Sequence, residues 1–283
     1  MLPIATNSAF FASLPMGPVE VFRIGPFPIT NSMVVLWVAA LAIIILVRLA
    51  TRRLQAVPDR GQGFLEVIIE KLFGILEPIL GYEGAKKTFW FFATIFIFIV
   101  SMNLFALIPG VGSIGWGEDV HGHFEVTKPL LRGVNADLNM TAAMAMAFAV
   151  LWFVWSFQAL GIKGFYQHIF GSKADLGLKG WAGFLVSLVF GLIFFGAGLI
   201  EVVSILFRPV SLSFRLFCNI YGGEYMLESM YETAGPIGAC LALIPFYFFE
   251  LLVAIVQALV FCLLTAAFTG MMIKHDDHGE SKH

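Results

Sequence analysis

Two apolar runs toward the C-terminal end constrain this chain more than any other feature. Residues Trp181 to Tyr231 and Thr233 to Ile273 form nearly continuous apolar stretches of 51 and 41 residues. As straight helices they would extend about 75 and 60 Å, against a hydrocarbon core of about 30 Å. Either each breaks into two spans, at Pro209 and Pro245, or each crosses once at a strong tilt. No polar turn accompanies either proline, so the expectation is a long, tilted helical hairpin bending near Gly235-Pro236. The solvent for so much apolar surface is lipid: 59% of the 283 residues are hydrophobic and only 13% are charged. An ordinary soluble chain carries roughly twice that charged share.

The rest of the chain completes an all-α membrane protein. Residues 1–32 hold Pro15, Pro18, Pro26 and Pro28 with several glycines, which predicts an extended N-terminal arm rather than a helix. A single membrane domain, 33–283, follows. Its first span covers about 33–50, with Arg48 able to snorkel to the interface. In residues 63–80, Glu66, Glu70 and Glu77 share one helical face while Phe64, Leu65, Ile68, Leu72, Phe73 and Leu76 crowd the remainder. That pattern suits an interfacial amphipathic helix. Further spans are expected at about 88–108 and 138–162, both free of charge over lengths that can cross a bilayer. Between them, residues 109–137 read as a loop. With the long hairpin at 181–231 and 233–273, the sum is five membrane-crossing helices plus one interfacial helix.

Charge sets the orientation. The loops at 48–60 and 161–180 carry Arg48, Arg52, Arg53, Arg60, Lys163, Lys173 and Lys179, whereas those at 109–137 and 224–232 are mainly acidic. One pass for each long helix puts every basic loop on one side, so the positive-inside rule places the N-terminus outside and the C-terminal tail inside. A net charge of −2 gives no reason to expect nucleic acid. Cys218, Cys240 and Cys262 lie in apolar stretches and read as small core residues, not as a disulfide or metal framework. His121 and His123 make a lone H-x-H in a loop, and His275 and His278 sit in a charged tail, so neither pair reads as a metal site. The first basic residue is Arg23, which argues against a conventional cleaved signal peptide.

Charged side chains inside lipid spans cost about 2.5–3.5 kcal/mol each on insertion scales, so each needs a reason. The final hairpin places Glu201, Arg208, Arg215, Glu224 and Glu250 there. Glu201, Arg208 and Arg215 are spaced by seven and share one helical stripe, which Asn219 continues. Glu224 lies about 180° round the helix from Arg215. Glu250 and Gln257, again seven apart, share a face of the last helix. Plainer readings exist for most of these: Glu201 and Arg208 as interfacial snorkelling residues, Glu224 as a loop residue, Glu250 as a protonated core carboxyl. Arg215 resists them. It is flanked by Leu212, Phe214, Leu216 and Phe217, and an arginine cannot lose its proton to escape the cost. Its plainer reading, a structural pair with a carboxylate elsewhere in the chain, is the weaker one.

At these residues a family resemblance emerges. The stretch PVSLSFRLFCNIYGGE from Pro209 to Glu224 resembles the hallmark helix of the a subunit of F-type rotary ATP synthases. The match extends through Met102-Asn103-Leu104 with Leu107-Ile108-Pro109, Ala136-Asp137-Leu138-Asn139, Leu199-Ile200-Glu201 and Gln257-Ala258-Leu259-Val260-Phe261. Only the N-terminal arm and the 110–133 loop lack such landmarks. The resemblance implies a stationary subunit of the Fo sector whose tilted hairpin faces a rotating ring of c subunits, with a b-subunit peripheral stalk and the rest of the synthase as further partners. It implies that Arg215 is the essential arginine, standing opposite the ring carboxylate between two offset half-channels. Asn219, Glu224, Glu250 and Gln257 match positions lining the path from outside, Asp137 stands near its mouth, and Glu201 and Arg208 match the inner half. Many bacterial relatives carry histidine where Glu250 stands, and other lineages carry it at the Glu224 position; here both are glutamates, expected to meet across the bend and share a proton.

A bacterial inner membrane is expected rather than an organellar one. The choice of ion rests mainly on the ring carboxylate, which is not on this chain; protons are expected as the commoner case, with sodium as the alternative. The chain shows no phosphate-binding loop, so no catalytic site for ATP, cofactor or metal is expected on it; nucleotide chemistry belongs to partners. Two rivals remain. An independent secondary transporter predicts internal repeats, which the sequence lacks. A membrane hydrolase predicts a nucleophile–base pair or metal motif, and none stands out.

Overall fold

Thr30 closes an N-terminal hairpin and opens the first helix. In the computed structural model, which describes residues 17–52, 55, 57–108, 111, 115–120, 123–129, 131–170 and 181–273, strands β1 (Glu20–Ile24) and β2 (Phe27–Thr30) pair antiparallel. The turn between them passes through Gly25 at φ 61°, a left-handed conformation that glycine adopts without a Cβ penalty. Thr30 then caps helix α1 (Asn31–Ala50), its hydroxyl accepting from the Met33 N–H at 3.4 Å. The arm expected to be merely extended is therefore, over residues 20–30, a paired hairpin. Breaker density excluded a helix there but carried no information about pairing.

Helix α2 (Arg60–Leu80) is amphipathic, burying Leu72, Leu76 and Leu80 at four-residue spacing. It ends at Gly81, whose φ of 75° and whose N–H bond to the Glu77 carbonyl at 2.8 Å form a left-handed helix stop. Helix α3 (Tyr82–Ala106) starts directly after it. Within the expected loop, β3 (Gly115–Val120) and β4 (His123–Pro129) pair antiparallel, and a 3-10 turn at Val134–Ala136 leads into helix α4 (Leu138–Phe170). Helix α4 kinks at Gly161, φ 66°.

Residues Trp181–Ile273 are helical (α5), and the chain reverses within that run. Asn219 bonds to Gln257, 38 residues onward, at 2.6 Å, where an unbent helix would separate them by roughly 57 Å. The two limbs contain the apolar segments Val189–Leu227 and Leu241–Met272, so the expected hairpin is present. With Asn31–Ala50, Tyr82–Ala106 and Leu138–Gln167, the described residues contain five helices long and apolar enough to cross a membrane. The chain is an all-α membrane protein. Its first helix shows the reason: α1 buries Asn31 and Ser32 while Trp37, Leu41, Ile44 and Leu46 are exposed. In water each exposed Leu or Ile would forfeit about 1.5–3 kcal/mol of burial; in lipid the penalty vanishes.

Contacts divide the chain into two compact units. One draws on Met1–Ile68, Thr94–Thr141 and Arg215–Val260, the other on Ile69–Ala93, Ala142–Phe214 and Phe261–His283. In the first, Val35, Ala39, Met102 and Val134 form a core flanked by Phe98, Phe105 and Leu131. In the second, Phe91 meets the Trp155 ring at 5.6 Å and the Phe148 ring at 6.4 Å. Arg53, Lys173, Lys179, His121, His275 and His278 lie outside the described residues.

Candidate functional site

Within the first unit, the upstream limb of α5 presents two contrasting faces. Leu216, Ile220 and Gly223 are buried, whereas Arg215, Cys218, Asn219, Gly222 and Tyr225 are exposed at helical spacing. Arg215 therefore points outward from its own chain. Among the described residues its guanidinium has no hydrogen-bond or ion-pair partner. Cys218 and Gly222 beside it are small, and small residues let another helix approach closely.

The downstream limb returns polar groups to this neighbourhood. Gln257, 5% exposed, accepts from the Asn219 side-chain amide at 2.6 Å. About two turns nearer the bend, the buried carboxylate of Glu250 rests against the backbone of Gly223, where any Cβ would overlap it. Glu224 follows immediately in sequence, but its Oε1 lies against the backbone of Gly133. The structure thus brings Glu250 beside Gly223, next in line to Glu224, and turns the Glu224 carboxylate toward the turn before α4.

That turn is fastened by buried amides. Asn135 donates to Asn103 Oδ1 at 2.5 Å, and Asn103 donates to the Ala254 carbonyl at 3.0 Å; both asparagines are 0% exposed. Arg132, also buried, donates to the carbonyls of Gly17 (2.6 Å) and Ala136 (3.3 Å). Asp137 caps α4, its Oδ1 accepting from the Asn139 N–H at 2.9 Å, while its buried Oδ2 has no partner among the described residues. Asn135 and Gly133 carried no sequence signal. Asn103 belongs to a recognisable motif, but its two bonds join segments far apart in the chain.

The second unit holds the other two charged residues of the hairpin. Arg208 donates to Glu201 at 2.8 Å. Its guanidinium lies 4.7 Å from the centre of the Phe268 ring and 5.6 Å from that of Trp152. Trp152 in turn donates its indole N–H to the Phe268 carbonyl at 3.1 Å. The sequence placed Glu201 and Arg208 on one stripe but offered nothing to identify their aromatic neighbours. No cluster of three metal-ligating side chains occurs among the described residues.

Residues 33–270 match the family described as ATP synthase A chain. The chain belongs to that family. Among curated relatives, ATP synthase subunit a of Moorella thermoacetica is 32% identical over 256 residues, covering 90% of this chain and 96% of the relative. That of Gloeobacter violaceus is 28% identical over 281 residues, covering 98% and 99%. A protein named ATP synthase subunit a, sodium ion specific, from Propionigenium modestum is 29% identical over 247 residues, covering 86% and 73%. Membership makes this a membrane-embedded, ion-translocating subunit of the Fo sector that assembles with the rest of the ATP synthase. An unpartnered arginine on an outward helix face is intelligible in such a subunit, since a further component can supply the partner.

Proposed function

We propose that Arg215 is the fixed charge of the synthase's stator, facing the carboxylates of a rotating c ring between two offset half-channels. The observation that carries this is the exposed guanidinium, without a partner among the described residues, on a face whose neighbours Cys218 and Gly222 admit a second helix. A ring carboxylate that has released its ion is attracted to Arg215. At 4 Å and an effective dielectric of 20 the pair is worth about 4 kcal/mol, roughly a thousandfold in population. A neutralised carboxyl loses that attraction and can rotate into lipid. The same positive charge repels cations and closes the direct route between the half-channels.

In this reading the outer half-channel runs past Asp137, Glu224 and Glu250 toward Asn219 and Gln257, and the inner one past Glu201 and Arg208. Glu224 and Glu250 hand on one shared proton, because two neighbouring carboxylates in low dielectric cannot both ionise cheaply. The subunit sits in a bacterial inner membrane with its N-terminus outside and C-terminal tail in the cytoplasm, held by a b-subunit stalk. The ion is the proton; the sodium-specific name of one relative supports the alternative, which a sodium dependence of ATP synthesis at fixed pH would reveal.

The test is Arg215→Ala in the purified complex. Ion-driven ATP synthesis should fall below detection while assembly is retained, and Arg215→Lys should restore little of it, since an ammonium does not reproduce the planar fork. Normal coupled synthesis by the alanine variant would overturn the reading.

A further inference from the structure

Gly133 is a glycine whose backbone does not need to be one. Its φ of −54° and ψ of 124° belong to a region that any L-residue adopts. What the position lacks is space. A Cβ placed there would collide with Oε1 of Glu224 and stand 2.9 Å from the Cβ of Ala106, well inside the roughly 3.5–4.0 Å at which carbon atoms pack. The Glu224 carboxylate, at the far end of a flexible side chain, is the neighbour that can swing aside; Ala106 has no side-chain torsion to turn. The segment carrying Gly133 is equally fixed: Val134, Asn135 and Ala136 are buried, and the Asn135–Asn103–Ala254 chain of hydrogen bonds ties it to α3 and to the downstream limb of α5.

We propose that Gly133 is a positioning residue for ion transfer: its bare backbone is the seat that sets where the Glu224 carboxylate stands. The proposal rests on the reading of Glu224 as part of the outer half-channel. A carboxylate that accepts and passes on a proton must sit within hydrogen-bond reach of both neighbours along the path. A methyl group at 133 displaces it by filling the seat, without changing any titratable group.

The experiment measures passive proton conduction through vesicles carrying the c-ring-containing membrane sector, normalised to assembled chain. Ala106→Gly is introduced first, so that the second collision is relieved, and should conduct like the wild type. Adding Gly133→Ala should lower conduction at least about tenfold, the scale on which a misplaced reacting group is felt. Adding Glu224→Asp to that pair should restore most of the loss, because the carboxylate withdraws by one methylene from the new methyl. In the wild-type background the same Glu224→Asp change should instead lower conduction. Should the Gly133→Ala variant fail to assemble, recovery of assembly by Glu224→Asp reports the same relief. Undiminished conduction with alanine at 133, or no restoration of conduction or assembly by aspartate, overturns the proposal. Glu224→Gln separates this from the parent reading. Wild-type conduction there would remove Glu224 from the path, whereas impaired conduction beside a fully active Gly133→Ala variant would refute only the seat.

Discussion

Arg208→Leu tests how an aromatic clamp holds a charge inside the apolar hairpin. The substitution removes the cation that pairs with Glu201 at 2.8 Å and the contacts to the rings of Phe268 and Trp152. The ion pair is incompletely sheltered, with side chains 14% and 40% exposed, so it is worth less than a fully buried pair. Leaving Glu201 without its partner costs about 1–2 kcal/mol at that exposure. Two cation–π contacts, one half sheltered, add about 1–2 kcal/mol. The total, about 2–4 kcal/mol, corresponds to a fall of on the order of 5–10 °C in the midpoint of heat-induced dissociation. The assay is the fraction of detergent-solubilised complex that stays intact on a native gel across a heating series. Arg208→Lys keeps the charge but not the planar stacking and should fall between the two. The decisive variant is Glu201→Gln combined with Arg208→Leu. Removing the orphaned charge should recover part of the loss, because the penalty lies in an unpaired carboxylate rather than in the absence of a bond. A double variant no more stable than Arg208→Leu alone would show that no orphaned-charge penalty exists at Glu201, and an unchanged midpoint in the single variant would rule out the clamp.

Three further outcomes are expected. Once Cys240 is replaced by serine, N-ethylmaleimide should modify exposed Cys218 in the free chain far faster than buried Cys262, and a c ring covering the Arg215 face should suppress the Cys218 reaction; equal labelling with and without the ring would place the ring elsewhere. Glu224→Gln and Glu250→Gln should each slow passive proton conduction, and the double variant should lose much less than the sum of the two, since both belong to one relay; strictly additive losses would show that they act separately. Asn103→Leu should destabilise the subunit by about 1–3 kcal/mol through the stranded Asn135 amide, read as a lower dissociation midpoint, with Asn135→Leu restoring part of it; a midpoint unchanged by Asn103→Leu would deny the hub its role.

Features that act along one dimension of the chain were legible before any coordinates. A nearly continuous apolar stretch of 51 residues is visibly too long for one straight crossing of a bilayer, and the lack of a polar turn at Pro209 or Pro245 favours a long tilted hairpin over four shorter spans. Arg215 stands out because an arginine among leucines and phenylalanines is costly in any fold. Residue counts from Pro236 put Glu224 and Glu250 at similar depth, and the structure seats Glu250 against Gly223. The direction of the Glu224 carboxylate was not legible, because it depends on Gly133, 91 residues away in sequence. The same holds for Arg208: its ring partners come from α4 and from the far limb of α5, and a phenylalanine-rich chain offers many equivalent candidates. Strand pairing in residues 20–30 and 115–129 was missed for a different reason. Proline and glycine mark where a helix cannot continue, but two-stranded pairing depends on register, and neither segment shows a sustained period-two alternation.

The three arginines of the upstream hairpin limb and its supporting turn show how selectively charge is tolerated here. Arg132 is wholly buried, yet its guanidinium is met by two carbonyl oxygens. Arg208 has a carboxylate and two aromatic faces. Each of these carries its compensation within the chain, so each can remain in place whatever the rest of the complex does. Arg215 has neither carbonyls nor rings nor an acid among the described residues, and it cannot shed its proton. Snorkelling is a poor escape, since Arg215 stands well inside the apolar segment Val189–Leu227, about 18 Å along the helix axis from its nearer end. On insertion scales a charge within a span costs about 2.5–3.5 kcal/mol, and under the proposed role no group among the described residues offsets it for Arg215. A carboxylate brought up by a second component recovers it, and does so only while that carboxylate is charged. Dependence on the partner's protonation state is what a stator charge requires, and an arginine already satisfied by its own chain would respond to that state far less.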